Sequence, residues 1–231
     1  MGYYPGVTQA FIFDVDGTLY NQGQLRKRML FELLCHLAKK HRFIRDINVL
    51  YTFRKKREIL SRGHGDIGCL EDRQYAAVAD ELGMGIEEVR HVVNEWIFEK
   101  PLNYLAACIY PGVRDLFSIL LKEKIKIGIF SDYPCRAKLK ALDLYADVMV
   151  CSTEKKVDRF KPDPKGLLLI ADELEVPVMN CFFIGDREDK DGECARRAGM
   201  PYLILSRRHV SPSDWYRKVT MQIDRRKREF H

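Results

Sequence analysis

Two aspartates separated by a single residue follow a short apolar segment near the start of the 231-residue chain. Residues 10–13 (AFIF) predict a buried strand, and Gly17 ends it. Alternate residues share one side of a strand, so Asp14 and Asp16 point into one space. Carboxylates this close repel one another unless a cation or a proton intervenes, and Mg²⁺ prefers such oxygen ligands. The alternative is a solvated Asp-Gly turn, which this segment alone leaves open.

Polar residues also follow two later apolar runs, at the point where each run ends. These residues are Ser131 after the run at 125–130, and Asp186, Asp189 and Asp191 after the run at 181–184. Lys161 lies between the two runs, just before a Pro-Asp-Pro segment. The carboxyl ends of parallel strands meet at one edge of a sheet, where α/β proteins bind ligands. We therefore predict a pocket of carboxylates, one hydroxyl and one ammonium group at that edge.

The elements that must position these residues alternate between strands and helices. Apolar runs predict strands at 10–13, 125–130, 148–150, 181–184 and 202–205, with helices between the later ones. This alternation predicts an α/β fold with a doubly wound parallel sheet.

Residues 20–107 show helical spacing instead, with helices expected over about 25–40, 46–62, 71–82 and 86–100. Asp46 is expected to cap the second helix, and Pro101 is expected to end the fourth. Because this segment interrupts the α/β pattern, we interpret it as an inserted all-helical domain.

Four short motifs carry a resemblance to a known family. DVDGT, IFSD, FKPDP and FIGDREDKD, in this order and at these separations, resemble the motifs of the haloacid dehalogenase-like hydrolase superfamily. The resemblance covers nearly the whole chain. It implies a Rossmann-like core formed by residues 1–19 and 108–231, a helical cap formed by residues 20–107, and Mg²⁺ as the cofactor.

The resemblance also implies roles for individual residues. Asp14 would be the nucleophile that attacks phosphorus, and Asp16 the general acid that later becomes the general base. Lys161 would neutralise Asp14 and the transferring phosphoryl group. The phosphoryl group would be held by Gly17, Thr18, Ser131 and Lys161. The metal would be held by Asp14, Asp16 through its carbonyl, Asp186 and one of Asp189 and Asp191, with Asp191 taken as the ligand.

Asp16 distinguishes between chemistries within this family. Dehalogenases of the family lack an acid at this position, since a halide leaving group needs no proton. Its presence favours a phosphatase that acts on a small phosphomonoester such as a sugar phosphate, phosphoglycolate or a nucleotide. A sugar phosphomutase is the alternative that the motifs do not separate. Acid catalysis near neutral pH needs a raised pKa at Asp16, which we expect burial to supply.

Asp132 and Arg187 depart from the residues that are common in this family beside the second and fourth motifs.

The net charge and the cysteine content limit which other functions the sequence allows. The formal charge of +6 allows a second hypothesis, a non-catalytic nucleic-acid-binding protein. It is disfavoured because the catalytic set is complete and aromatic residues are not interleaved with the basic runs. The seven cysteines are scattered, with no Cys-x-x-Cys pair, so disulfides and zinc are not indicated. No apolar stretch is long enough to span a membrane and no secretory signal is visible, so we expect a cytoplasmic protein.

Two features of the helical segment have competing interpretations. Residues 63–68 match G-x-G-x-x-G, but they follow a basic helix instead of a strand, which argues against a dinucleotide site. As a loop near the pocket, this segment makes Arg62 and His64 candidates for substrate contact. The basic run at 54–57 is predicted to be a solvated helix face, with electrostatic steering of the substrate as the less favoured alternative. The sequence gives no indication of the oligomeric state.

Overall fold

The fold is an α/β structure built around one parallel sheet. A computed structural model describes residues 4, 8–37, 43–63, 69–206 and 210–229. The five strands are β1 (Ala10–Phe13), β2 (Lys126–Ser131), β3 (Val148–Cys151), β4 (Cys181–Gly185) and β5 (Tyr202–Ile204). Their order across the sheet is β3-β2-β1-β4-β5, and every pair is parallel. The predicted fold class is confirmed.

Helices cover both faces of this sheet, as a doubly wound fold requires. The helices after the insertion are α6 (Val113–Lys122), α7 (Arg136–Leu142), α8 (Lys165–Glu173), α9 (Glu193–Ala198) and α10 (Pro212–Glu229). Alternate residues of β1 point to opposite faces. Phe11 and Phe13 pack with residues of α6, α7 and α10, whereas Ala10 and Ile12 pack with residues of α8 and α9. Burial on both faces explains the unbroken apolar run in β1.

The path of the chain places a crevice at the carboxyl end of β1. β2 pairs with one side of β1 and β4 with the other, so the direction of winding reverses at the central strand. Phe13 lies opposite Ile129 in β2 and opposite Ile184 in β4. The residues that follow these three positions therefore emerge together, at the switch point where ligands bind in such sheets.

We call residues 22–105 the helical insertion, and its described residues (22–37, 43–63 and 69–105) include five α-helices between β1 and α6. They are α1 (Gln22–Leu37), α2 (Phe43–Leu60), α3 (Leu70–Leu82), α4 (Ile86–Val93) and α5 (Leu102–Leu105). Residues of α2, α3, α4 and the π-helical segment Asn94–Glu99 share a buried apolar cluster that includes Phe53, Tyr75 and Trp96. The insertion thus has a separate core, which agrees with the expected helical domain. The limits of that domain at residues 20 and 107 stay a prediction.

The structure corrects one detail of the predicted insertion and bears out another. Asp46 lies in the first turn of α2, which begins at Phe43, so Asp46 is not the residue that precedes the helix. The fourth helix continues as a π-helical segment over Asn94–Glu99, and α5 starts directly after Pro101. The fourth helical segment therefore ends just before Pro101, as predicted, and a separate short helix begins after it.

Candidate active site

A cavity of about 590 Å³ opens at the carboxyl edge of the sheet, beneath the helical insertion. Its lining includes five of the predicted site residues, namely Asp14, Asp16, Lys161, Asp186 and Asp191. Asp14 follows β1, Asp186 follows β4, and Lys161 lies in the loop between β3 and α8. The structure therefore brings together residues that the sequence separates by more than a hundred positions.

Lys161 lies between two carboxylates at the centre of this cavity. Its Nζ donates to Asp14 Oδ1 at 2.6 Å and to Asp191 Oδ1 at 2.7 Å. All three side chains are almost completely buried. Burial by itself lowers the pKa of Lys161, but the carboxylates of Asp14 and Asp191 raise it well above its usual value. Lys161 is thus a permanent cation beside Asp14.

Carboxylates nevertheless outnumber the ammonium group in the cluster that Asp14 forms with Lys161. Oxygen atoms of Asp14, Asp186 and Asp191 all lie within 4.8 Å of one another. Burial and the neighbouring carboxylates raise the pKa of Asp14, which Lys161 opposes, and they raise the pKa of Asp186 to about 7. One ammonium group cannot neutralise three carboxylates, so these oxygens fit a hard divalent cation. The carboxylate of Asp16 lies outside this cluster.

Two glycines allow the carboxylates to approach the backbone closely. Gly17 has a φ of +97°, and a Cβ there would collide with the carboxylate of Asp186. A Cβ at Gly185 would likewise collide with the side chain of Asp191. Next to Gly17, the Thr18 hydroxyl donates to Asp14 Oδ2 at 3.2 Å. The turn after β1 is therefore shaped to hold Asp14 and to make room for the acidic cluster.

Asp16 has different partners from Asp14. Both of its carboxylate oxygens accept from Lys138 Nζ, at 2.6 and 2.7 Å, and one also accepts from the Tyr20 hydroxyl. Burial favours a higher pKa, but Lys138 and Tyr20 outweigh it and hold the pKa of Asp16 below its usual value. The prediction of a raised pKa at Asp16 is therefore wrong, although burial itself acts in the raising direction. Asp16 is present as a carboxylate that can accept a proton.

The Asp16–Lys138 pair should also contribute to stability, because both side chains are largely buried. We expect Lys138→Met to lower the free energy of unfolding by about 3 kcal/mol, since it leaves a buried carboxylate without its cation. Lys140→Met is the matched control, because Lys140 lies on the same helix and is exposed. Urea denaturation of the three proteins measures the difference. Equal stability of the two variants would contradict this account of Lys138.

Ser131 and Arg62, two other predicted substrate-binding residues, are not part of the lining of the cavity around Asp14. Ser131 is buried at the end of β2, where its hydroxyl accepts from the Tyr133 N–H at 3.2 Å. Arg62 is exposed and lines a neighbouring cavity of about 520 Å³. The structure thus does not bring Arg62 to the cavity around Asp14. His64 lies outside the described residues.

The two unusual residues beside the second and fourth motifs have local partners. Asp132 accepts from the Ser152 hydroxyl at 2.6 Å and from the Lys161 backbone N–H at 3.2 Å, so its carboxylate organises the loop that carries Lys161. Arg187 forms two hydrogen bonds with Asp189, at 3.2 and 2.6 Å. Asp189 is mostly exposed. Of the two candidate acids, Asp191 is therefore the one that joins the buried cluster.

The insertion contributes a buried arginine that the sequence analysis did not identify. Arg57 donates to the Gln74 side chain within the insertion and to the Asp132 carbonyl of the core. Its guanidinium carbon lies 4.0 Å from the ring centre of Tyr133 and 4.3 Å from that of Phe160. The prediction of a solvated face at 54–57 is thus wrong for Arg57. The contacts join α2 to the loops that form the site.

A second set of contacts joins α2 to the loop after β4. Glu58 pairs with Lys190 at 2.9 Å and with Arg187 at 3.6 Å. Burial raises the pKa of Glu58, but these two cations outweigh it and lower that pKa overall. Together with Arg57, these ion pairs hold the insertion over the cavity.

Comparison with known proteins identifies the family. A doubly wound sheet with its polar site at the carboxyl edge is typical of Rossmann-like α/β proteins. The family model for haloacid dehalogenase-like hydrolases matches residues 8–199. The chain therefore belongs to the haloacid dehalogenase-like hydrolase family and is an enzyme of the hydrolase class. The family predicted from the four motifs is confirmed.

Relatives in sequence carry phosphatase names. A phosphoglycolate phosphatase of Pseudomonas fluorescens (strain Pf0-1) is 23% identical over 217 residues, which cover 88% of this chain and 71% of that protein. An N-acetylmuramic acid 6-phosphate phosphatase of Pseudomonas aeruginosa is 28% identical over 149 residues, 62% of this chain and 64% of that protein. These names support the phosphatase branch of the family.

Solved structures share the fold. A 2-haloacid dehalogenase from Pseudomonas syringae pv. Tomato DC3000 superposes with a TM-score of 0.59 at 18% identity, over 93% of this chain and 99% of that chain. A phosphatase of the same family from Thermococcus onnurineus gives a TM-score of 0.54 at 20% identity, over 87% and 88% of the two chains. No helix in the described ranges is long and apolar enough to cross a lipid bilayer.

Proposed function

We propose that this protein is a Mg²⁺-dependent phosphatase that hydrolyses a phosphomonoester through an aspartyl-phosphate intermediate. The observation that carries the proposal is the buried Asp14–Lys161 pair with a second acid, Asp16, in the same cavity. A nucleophile, a cation and a group that can take up a proton are the components that phosphoryl transfer needs.

In the first step, an Asp14 carboxylate oxygen attacks phosphorus and the bond from phosphorus to the ester oxygen breaks. Lys161 offsets the negative charge that accumulates as a carboxylate approaches a phosphate. In the second step, water attacks the same phosphorus, the acyl-phosphate bond breaks, and Asp14 is regenerated with release of phosphate. Asp16 accepts the proton of that water, because its lowered pKa keeps it in the charged form that can accept one.

Proton donation to the leaving alcohol places a further demand on Asp16. A carboxylate held by Lys138 and Tyr20 carries little proton near neutral pH, because both partners favour its charged form. The donor role therefore requires substrate binding to draw Asp16 away from Lys138 and to bring it a proton. Asp16 would then act as the acid in the first step and as the base in the second.

The acidic cluster would hold the metal ion. Asp14, Asp186 and Asp191 supply the buried oxygens, and a bound Mg²⁺ would provide positive charge next to the transferring phosphoryl group. Thr18 and Lys161 hold Asp14 in place through its two oxygens. The insertion would exclude bulk water from the cavity during attack, since Arg57 and Glu58 fix α2 above it.

Metal removal tests this proposal. The protein is expected to release phosphate from p-nitrophenyl phosphate in Mg²⁺, to lose that activity in EDTA, and to recover it when Mg²⁺ is added in excess. Release must proceed without any added sugar bisphosphate, which separates hydrolysis from phosphomutase activity. Full activity in EDTA would contradict the role of the acidic cluster. Salt-sensitive binding of generic DNA without any turnover would instead favour the nucleic-acid hypothesis.

A further inference from the structure

The cavity continues from the acidic cluster onto an apolar wall formed by the helical insertion. Its residues include Leu25, Met29, Leu30 and Leu33 of α1, which face the cavity together with Leu50 and Ile97. Leu25, Met29 and Leu33 follow one another at intervals of four residues, so they lie along one face of α1. We propose, as an extension of the phosphatase function, that this wall binds the leaving group and that the substrate is a phosphomonoester of an apolar alkyl or aryl alcohol.

Leu25 is buried in the main apolar core, but the other wall residues are only partly used by the core of the protein. Met29, Leu33, Leu50 and Ile97 pack against the apolar cluster of the insertion, yet each remains partly accessible. Leu30 is 57% exposed. Covering this remaining surface with a ligand is favourable, because each buried methylene group contributes to binding. Apolar surface that lines a cavity next to a charged site is the usual form of a ligand pocket.

Polar groups that the insertion contributes to the cavity are largely engaged with other protein groups. Arg57 is held by Gln74 and the Asp132 carbonyl, and Glu58 is held by Lys190 and Arg187. These contacts occupy donors of Arg57 and acceptors of Glu58 that could otherwise bind sugar hydroxyls, whereas Arg54 of α2 also lines the cavity and is exposed.

Gln22 and Arg26 illustrate the same point on α1. The Gln22 side-chain oxygen accepts from Arg26 at 2.8 Å, so this acceptor and one donor of the lining are already paired. A hydroxyl group buried against the wall without a partner would cost free energy. A sugar phosphate is therefore a poor match for this cavity, and a sugar phosphomutase reaction fits it less well than hydrolysis.

The size of the cavity also favours a leaving group larger than that of phosphoglycolate. About 590 Å³ lies within the range of pockets that enclose drug-sized ligands. The two-carbon body of phosphoglycolate would leave most of that space, and all of the apolar wall, uncovered. Specificity is thus expected to differ from that of the relative named for phosphoglycolate.

A homologous series of substrates tests the apolar site. With saturating Mg²⁺, kcat/KM is measured for ethyl, butyl, hexyl and octyl phosphate, for phenyl and naphthyl phosphate, and for phosphoglycolate and glucose 6-phosphate. We expect kcat/KM to rise about fourfold for each of the first added methylene groups. Comparison of hexyl with phenyl phosphate shows whether the wall prefers the alkyl or the aryl form.

Variants connect the rise in kcat/KM to the wall. Leu33→Asn is expected to flatten the dependence on chain length, and Leu30→Asn, at a more exposed position, provides a second test if Leu33→Asn does not fold. Phe31→Asn is the matched control: Phe31 lies on the same helix, is 68% exposed and is outside the cavity lining, so the dependence should persist.

Two outcomes separate this inference from the phosphatase function itself. Hydrolysis of all the esters at equal kcat/KM, or a preference for phosphoglycolate or glucose 6-phosphate, would overturn the apolar site and leave the phosphatase function standing. Absence of turnover for every ester would overturn both.

Discussion

The Asp14→Asn variant is expected to lose phosphate release by on the order of 10⁴-fold, the scale of loss when a catalytic nucleophile is removed. An amide oxygen is a poor nucleophile, so the first bond to phosphorus does not form. The loss should appear for every phosphomonoester, regardless of its leaving group, because the attack on phosphorus is common to all of them. This uniformity distinguishes Asp14 from the residues of the apolar wall.

The same variant should keep its fold. Asparagine has the size of aspartate, and its side-chain oxygen can still accept from the Thr18 hydroxyl. The change also removes one of the crowded carboxylates around Lys161, which relieves repulsion within the acidic cluster. Circular dichroism and thermal unfolding should therefore show a folded protein, and any loss of activity reports on chemistry.

Asp143→Asn is a suitable control for this experiment. Asp143 ends α7 in the left-handed conformation, which asparagine also adopts, and it does not line the cavity. Turnover should be normal in that variant. Rapid quenching of the wild-type reaction, followed by borohydride reduction and mass spectrometry, should locate the phosphoryl group on Asp14. Normal turnover of Asp14→Asn would refute the nucleophilic mechanism.

That Asp14 and Asp186 lie close together was predictable, because the pairing of parallel strands has a regular register. Phe13 lies directly opposite Ile184, so a residue just beyond β1 must lie near the residues just beyond β4. Only two sequence features were needed, namely buried apolar runs and the polar residue that ends each run. The same reasoning located Lys161 only as a loop residue, and tertiary packing determined that its ammonium group lies between two carboxylates.

The environment of Asp16 was not predictable in the same way. Its pKa depends on Lys138, which is 122 residues away in the chain and belongs to no motif. A weak signal did exist, since Lys138 precedes Leu142 by one helical turn and thus shares the buried face of α7. Whether a buried carboxylate has a raised or a lowered pKa depends on such a partner, and composition alone does not reveal it.

Arg57 shows a related limit of sequence patterns. A run of four basic residues favours a solvated helix face, yet one member of this run is buried between the rings of Tyr133 and Phe160. Helical geometry explains why the run divides, because four consecutive residues cover the whole circumference of a helix. Only the packing of the insertion against the core decides which of the four residues is buried.

Lys161→Met is expected to have the largest effect on stability. The substitution removes the ammonium group that lies within 2.6–2.7 Å of Asp14 and Asp191, and it leaves these carboxylates buried without a cation. Loss of one partner from a buried ion pair costs about 3–5 kcal/mol of unfolding free energy. We expect this loss in EDTA, together with a fall in turnover of about 10³-fold, since transition-state charge is no longer offset.

Magnesium should restore part of the lost stability in Lys161→Met, because a divalent cation bound by Asp14, Asp186 and Asp191 supplies positive charge to the same carboxylates. The rise in melting temperature on adding Mg²⁺ should therefore be larger in this variant than in the wild type. Lys165→Met is the control, as Lys165 is exposed at the start of α8 and should respond to Mg²⁺ like the wild type. Equal rises in all three proteins would show that Lys161 and the metal ion do not balance the same charges.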